Sequence, residues 1–320
     1  MRDGPHQDDW VQPVITRSRI ALEVVSEMLN ERSFLPKQAK ITLRKQGSHQ
    51  PWELTIFGSD APPSIDEVVS GEVDLAIVNP ALCLTMAYLG KGPWKVPQPV
   101  RVITVIPSSD QFLFAVAKRT GITSIADIKE KRYPLRVSMR SQPDHADYLI
   151  VQETLAEYGF SLDDIVSWGG SIHTHGFPPR PERVAAGEID AIFDEAVNQW
   201  GTKAIQADMR LLEIDDAMMA RLEAKGFQRG YMTRAEYPIL DHDIPSLDFG
   251  GWPIFVREDA DPELVRLFCS SLEKRKDRIG WQGSGPLPIE RMCLDAEDTP
   301  LRVPLHPAAE SYWRERGYLR

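Results

Sequence analysis

Four short stretches carry side chains whose types and spacing could do chemistry. In Ser138-Met139-Arg140-Ser141-Gln142-Pro143, a guanidinium and a hydroxyl follow an apolar strand and precede a helix beginning at Ala146. A planar guanidinium holds a carboxylate with two hydrogen bonds, and unpaired amides at a helix start favour an anion. Arg140 and Ser141 are therefore candidate contacts for an acidic ligand, against the plainer reading of a surface salt bridge. Asp194 and Glu195 close the apolar run Ile189 to Phe193, and Asn198 follows about a turn later. A carboxylate there suits a ligand amine or hydroxyl, or proton transfer if burial raises its pKa. Adjacent carboxylates do not share a face, so Asp194 is expected to enter a site and Glu195 to be a helix-start acid. Asn79 follows another apolar run, Val73 to Val78, and offers a donor and acceptor set to a ligand, or a cap to the next helix. His173 and His175, two apart on an extended segment, point the same way and could bind a divalent metal or move a proton. Solvated loop histidines are the plainer reading. For a third metal ligand, His145, Asp144 and Asp147 are candidates by type only.

The elements that position these groups are announced by a repeated phrase. Gly71-Glu72-Val73-Asp74-Leu75-Ala76-Ile77-Val78 returns as Gly187-Glu188-Ile189-Asp190-Ala191-Ile192-Phe193. Each reads as a helix end, a glycine and a strand, with a polar group just past the strand. Ligands of open α/β sheets sit outside the carboxyl ends of strands. Apolar runs predict further strands at Ile41–Leu43, Leu54–Ile56, Val100–Ile106, Phe112–Ala117, Leu135–Met139, Ile165–Trp168, Met209–Ile214 and Gly251–Val256. Helices are expected at Ile15–Leu29, Ile65–Ser70 with Ser64 as N-cap, Ile125–Lys129, Ala146–Tyr158, Pro181–Ala186, Ala217–Lys225, Pro262–Ile279 and Pro307–Arg316. Alternation of the two predicts an α/β protein with largely parallel sheets.

At 320 residues the chain has room for two domains. Its net charge of −10, with no long basic run, argues against a nucleic-acid partner. Three cysteines at long spacings give neither zinc spacing nor a disulfide framework. No nucleophile elbow, phosphate loop or dinucleotide fingerprint occurs, which favours binding over catalysis. The acidic opening from Met1 to Trp10 lacks a basic n-region and an apolar h-region. As written, that places the protein in the cytoplasm, or in the periplasm if a leader was removed.

Several phrases together resemble the TAXI-type solute receptors of TRAP transporters. They are Ser70 to Val78, Phe112 to Lys129, Ala185 to Phe193, and Val303 to Gly317 with its Leu-His-Pro-Ala-Ala-Glu start. The resemblance implies a two-lobe, type II periplasmic-binding-protein fold that closes by a hinge on a small, carboxylated organic ligand. It divides the chain into lobe one (1–112 and 256–320) and lobe two (113–255), with hinge crossings near 112–117 and 251–256. It also implies no cofactor, delivery of the ligand to a membrane permease, and a structural role for His306. The front departs from the family: where a glycine-rich amide nest is usual, the chain has Trp10 to Arg19, so Arg17 or Arg19 would substitute as cationic contacts. The alternative is a cytoplasmic enzyme on the same fold, such as an aromatic-acid decarboxylase or another acid–base lyase. In it Arg140 would clamp the substrate, and His173, His175 or Asp194 would move the proton or bind a divalent metal.

Overall fold

The computed structural model describes residues 20, 22, 24, 41–44, 53–58, 62–142, 144–174 and 180–320. Met1–Ala39 forms one unit and Lys40–Arg320 another. Of the first, Ile20, Leu22 and Val24 are helical and exposed, while Arg17 and Arg19 lie outside the described residues.

In the second unit the strands are β1 (Ile41–Arg44), β2 (Glu53–Gly58), β3 (Leu75–Ile77), β4 (Val100–Ile106), β5 (Gln111–Ala117), β6 (Arg136–Met139), β7 (Ser171–Thr174), β8 (Ala191–Asp194), β9 (Met209–Leu212), β10 (Arg229–Met232), β11 (Ile244–Asp248) and β12 (Trp252–Arg257). The helices are α1 (Pro63–Ser70), α2 (Ala81–Leu89), α3 (Ile125–Glu130), α4 (Ala146–Glu157), α5 (Leu162–Ser167), α6 (Arg180–Ala185), α7 (Val197–Gln206), α8 (Asp216–Glu223), α9 (Pro262–Arg275), α10 (Ile289–Met292) and α11 (Pro307–Glu315).

The repeated phrase folds the same way twice. Gly71 and Gly187 take φ of 80° and 74°, the left-handed region in which a β-carbon is strained, and so turn the chain out of α1 and α6. Three residues after the glycine of each phrase, an aspartate locks its strand to a neighbour. Asp74 N–H donates to Thr55 O (3.1 Å) while its carboxylate accepts from Thr55 N–H. Asp190 N–H donates to Arg136 O (2.8 Å) while its carboxylate accepts from Arg136 N–H (3.1 Å).

These units build two sheets. One has five strands in the order β1-β2-β3-β12-β4; the other has seven, β10-β11-β5-β8-β6-β7, with β9 also on β5. Among the described strands, the parallel pairs are β2/β3, β6/β7 and β6/β8. The sheets are thus mixed rather than largely parallel, because β5 and β12 run against their neighbours. The chain leaves the first sheet after Ile106 and returns to it at Trp252. The two passages bond to each other through Phe249 N–H to Asp110 O and Gly251 N–H to Ser108 O, each 2.9 Å. Gly251 has φ 72°, and a β-carbon on Gly250 would sit 2.7 Å from Ser108 O, so this corner needs both glycines. Two sheets joined by two adjacent passages make the two-lobe α/β arrangement of a type II periplasmic-binding-protein fold.

One apolar core is shared by both sheets. It takes Ile65, Val78 and Leu82 from the first side and Phe112, Val137 and Ile150 from the second. The outer face of the first sheet is covered by α9, α10 and α11, with Trp313 fully buried and its indole donating to Ile103 O at 2.8 Å. His306 caps α11, its Nδ1 accepting from Ala308 N–H, the structural role expected for it.

Two local expectations are corrected, and one helix carried no period in the sequence. Residues 165–168 are not a strand: Ser161 and Asp164 form a reciprocal capping box that starts α5 instead. Ser64 is not an N-cap but a buried residue in the first turn of α1, which begins one residue earlier at Pro63. Helix α2 was hidden because Ala-Leu-Cys-Leu-Thr-Met-Ala-Tyr-Leu is apolar all round and shows no periodicity. The helix is correspondingly buried from Ala81 through Ala87.

Candidate functional site

The carboxyl ends of the parallel strands β6 and β8 bring Arg140 and Asp194 side by side. Ser138 pairs with Ile192 in register, so the residues two further on fall on the same face. Arg140 Nε lies 3.0 Å from Asp194 Oδ1 and 3.5 Å from Asp147 Oδ2, and a terminal guanidinium nitrogen contacts Glu195. Arg180, at the start of α6, pairs with the other oxygen of Asp194. Asp147 and Asp194 are fully buried, and the Arg140 side chain is only 11% exposed. Burial, with the neighbouring charge of Arg140, pushes the Arg180 guanidinium down to about 10. Arg140 is therefore no surface salt bridge: two guanidiniums and three carboxylates share a dry space, where breaking any one pair is costly.

Glu195 joins the cluster against expectation. Ala196 takes φ 55°, so the strand's alternation ends at Asp194 and the next side chain is no longer forced to the opposite face. The bend is pinned from three sides. Glu195 N–H donates to Asp194 Oδ1 (2.8 Å), Ala196 N–H to Asp110 Oδ2 (3.0 Å), and the Trp200 indole to Glu195 O (2.7 Å). A left-handed alanine carries no sequence signal, which is why the two adjacent acids read as divergent.

Helix α4 supplies the next wall. His145 caps it, with Nδ1 accepting from Asp147 N–H and lying 3.1 Å from Asp147 Oδ1. The imidazole lies nearly parallel to the Phe249 ring, which belongs to the second passage between the sheets. Tyr148 O–H donates to Arg140 O (2.8 Å) and fixes the backbone there. Ligand atoms of His145, Asp147 and Glu195 lie within 4.8 Å of one another, a spacing and donor set that could hold a divalent metal. Two of the three already face the Arg140 guanidinium, so a metal would compete with that internal cation.

Helix α2 of the first sheet closes the space from the other side. Its Ala81 N–H donates to Gly250 O in the passage (3.2 Å). Cys83 of α2 packs in one core with Ala146 and Ile150 of α4, so the two sheets meet beside this cluster; burial pushes its thiol far up, and the negative charge of Asp147 adds to the shift. The first passage and the end of β11, just before the second, each carry a perturbed acid beside it. Burial raises Asp110 to about 6 against the opposing hydrogen bonds of Gln111, Ala196 and Val197. Burial raises Asp248 to about 7, helped by the charges of Glu297 and Asp110.

Of the other anticipated residues, Asn79 stands at the start of α2, half-buried, its Oδ1 with no hydrogen-bond partner among the described residues. Ser141 and Asn198 are exposed. His173 lies in β7 with Nε2 2.7 Å from Ser171 Oγ, and His175 lies outside the described residues. Arg180, Asp110 and Asp248 were missed; nothing local in the sequence marks them. A groove of about 800 Å³ lies elsewhere, beside β9 and β11. Its charges, such as the exposed His242–Glu213 pair, are water-screened, and the dry cluster is the better candidate for recognition.

Comparison with known proteins gives the following. Among solved structures, the chain is similar to the alkanesulfonate-binding protein SsuA from Xanthomonas axonopodis pv. citri bound to MOPS: 15% identity, 68% of this chain and 60% of that one, TM-score 0.32. A TctC solute-binding protein from Polaromonas gives 13% identity, coverage of 65% and 66%, and TM-score 0.34. The ATP phosphoribosyl transferase HisG:HisZ complex from Thermotoga maritima gives 13%, 79% and 92%, and 0.32. The match thus spans less than two thirds of the first two chains, and at such scores the fold rests on the strand topology described above. No curated protein matches. Residues 56–317, from β2 to just past α11, match the NMT1-like family, and the chain belongs to that family.

Proposed function

We propose that this protein is a solute receptor that holds a small polar organic molecule between the start of α2 and the carboxyl ends of β6 and β8. The observation that carries the reading is the dry cluster of Arg140, Arg180, Asp147, Asp194 and Glu195 where the two sheets meet. Charged groups desolvated at a junction of two lobes give orientation and specificity to whatever enters there. Arg140 is the group for an acidic end of the ligand, because its planar fork matches a carboxylate and Tyr148 and Asp194 hold it in place. The adjacent passages at 107–110 and 249–251 serve as the hinge between lobe one and lobe two, in place of the crossings expected near 112–117 and 251–256, because β5 and β12 lie inside the two sheets. Closing over the ligand creates a surface that a membrane permease of the TRAP type would read. Delivery to such a permease would place the protein in the periplasm.

A thermal-shift screen of polar metabolites tests this, since a ligand that binds only the folded state raises the melting temperature. The expected result is a hit whose effect disappears in Arg140→Ala and persists in Glu213→Ala, in the groove beside β9. A hit lost in Glu213→Ala and kept in Arg140→Ala would move the site to that groove.

A further inference from the structure

The charge balance of the cluster restricts what can bind. Among the described residues, two guanidiniums face three carboxylates, with the His145 imidazole 3.1 Å from Asp147, so acids outnumber guanidiniums before any ligand arrives. The Asp110 carboxyl, bonded to Ala196 N–H, adds a fourth acid at its edge. The edge of Arg140 that a ligand carboxylate would use is already occupied by Glu195. Asp194 and Asp147 hold the Nε side and are fully buried, whereas Glu195 retains slight exposure and sits on the outer nitrogen. An incoming carboxylate must displace Glu195, which then stands as an unpaired anion in a dry space.

Resting on the receptor reading, we propose that the ligand is a zwitterion, an amino-acid-like molecule, and that Glu195 is the residue that selects it. On binding, Arg140 passes from Glu195 to the ligand carboxylate, and Glu195 takes the ligand's protonated amine. Each charge that loses a partner gains another, and the net charge of the site is unchanged. A plain carboxylate offers Glu195 nothing, so the same residue that admits amines rejects simple acids, specificity by an unfavourable alternative. A second feature points to a ligand. Ser138 Oγ is fully buried without a hydrogen-bond partner among the described residues, on the Arg140 face of β6 and two residues before it. A buried hydroxyl in that state has bonding capacity for a polar guest.

The test is calorimetric titration with matched pairs that differ only by the amine: L-leucine and 4-methylpentanoate, L-phenylalanine and 3-phenylpropanoate, L-glutamate and glutarate. Each is run on the wild-type protein and on Glu195→Gln, with Glu195→Asp as a second variant that keeps the charge. In the wild-type protein, at least one amino acid should bind at least about tenfold more tightly than its deaminated partner, the equivalent of about 1.4 kcal/mol. Glu195→Gln should erase that preference by weakening the amino acid and strengthening the plain acid; Glu195→Asp should retain its direction. If the plain acids bind as tightly as the amino acids, or Glu195→Gln leaves the ratio unchanged, the inference fails and the receptor reading stands. If no pair binds but another solute class raises the melting temperature through Arg140, the inference again fails alone. If no solute of any class does so, both fail. Should Glu195→Gln not fold, the ratio in the wild-type protein and its persistence in Glu195→Asp decide the matter.

Discussion

The ends of β3 and β8 are the same construction carrying different cargo. Both strands follow a helix, a left-handed glycine and an aspartate that locks the strand to a parallel-running neighbour through two backbone contacts. Past the strand they diverge. β3 ends on Asn79-Pro80 and runs into α2, an apolar helix buried between the sheets. β8 ends on Asp194-Glu195 and turns at a left-handed alanine into a nest of ion pairs. The glycine and aspartate set the geometry, and the two residues after each phrase set the chemistry. One end supplies adhesion between the sheets; the other supplies charge in the space that adhesion keeps dry.

If that division holds, damage at the two ends should differ in size. Arg140→Ala leaves buried carboxylates short of a cation and should cost about 3–5 kcal/mol, measured as the shift of the urea midpoint. Asp248, at the end of β11 just before the second passage, comes next. Its carboxyl is raised to about 7 in the folded protein, so the folded state binds more protons than the unfolded chain between the ordinary carboxylate range and pH 7. Stability therefore falls as pH rises through that window. Asp248→Asn should raise stability by about 2–4 kcal/mol at pH 8 and have no effect near pH 3, where both forms are neutral. An equal gain at both pH values would show that charge is not the cause. The two locking aspartates should then rank by their partners. Asp190 is buried and bonded to Arg119 and Arg136, with the Arg136 bonds outweighing burial to hold its carboxyl low, so Asp190→Ala should cost about 2–3 kcal/mol. Asp74→Ala, which loses one backbone contact, should cost about 1–2 kcal/mol. Asn79→Ala removes no bond to a described residue and should stay within about 1 kcal/mol in denaturant melts.

The sequence made the scaffold more legible than the site. The glycine–acid phrases, the continuous run of β4 and the Asp261–Pro262 start of α9 carry local signals of turn, burial and capping, and each element appears near its expected bounds. Helix α2 carries none, since uniform apolarity encodes burial without period. Arg140 and Asp194 were visible because strand ends are where α/β ligands sit. Asp147 was visible only as a residue type, and Glu195 was expected to point away from Asp194 but contacts Arg140, because a bend at Ala196 overrides strand alternation. Arg180 and Asp110 reach the cluster through the fold alone, from points 40 residues after and 30 before Arg140.

Amide hydrogen exchange with and without a solute taken from the thermal-shift screen tests most directly where the ligand sits. Protection should appear together in three stretches far apart in the chain: 79–83, 140–147 and 194–197. Protection gathered instead along Met209–Leu212 and Ile244–Asp248, with those three unchanged, would put the ligand in the groove beside β9 and contradict recognition at the paired strand ends.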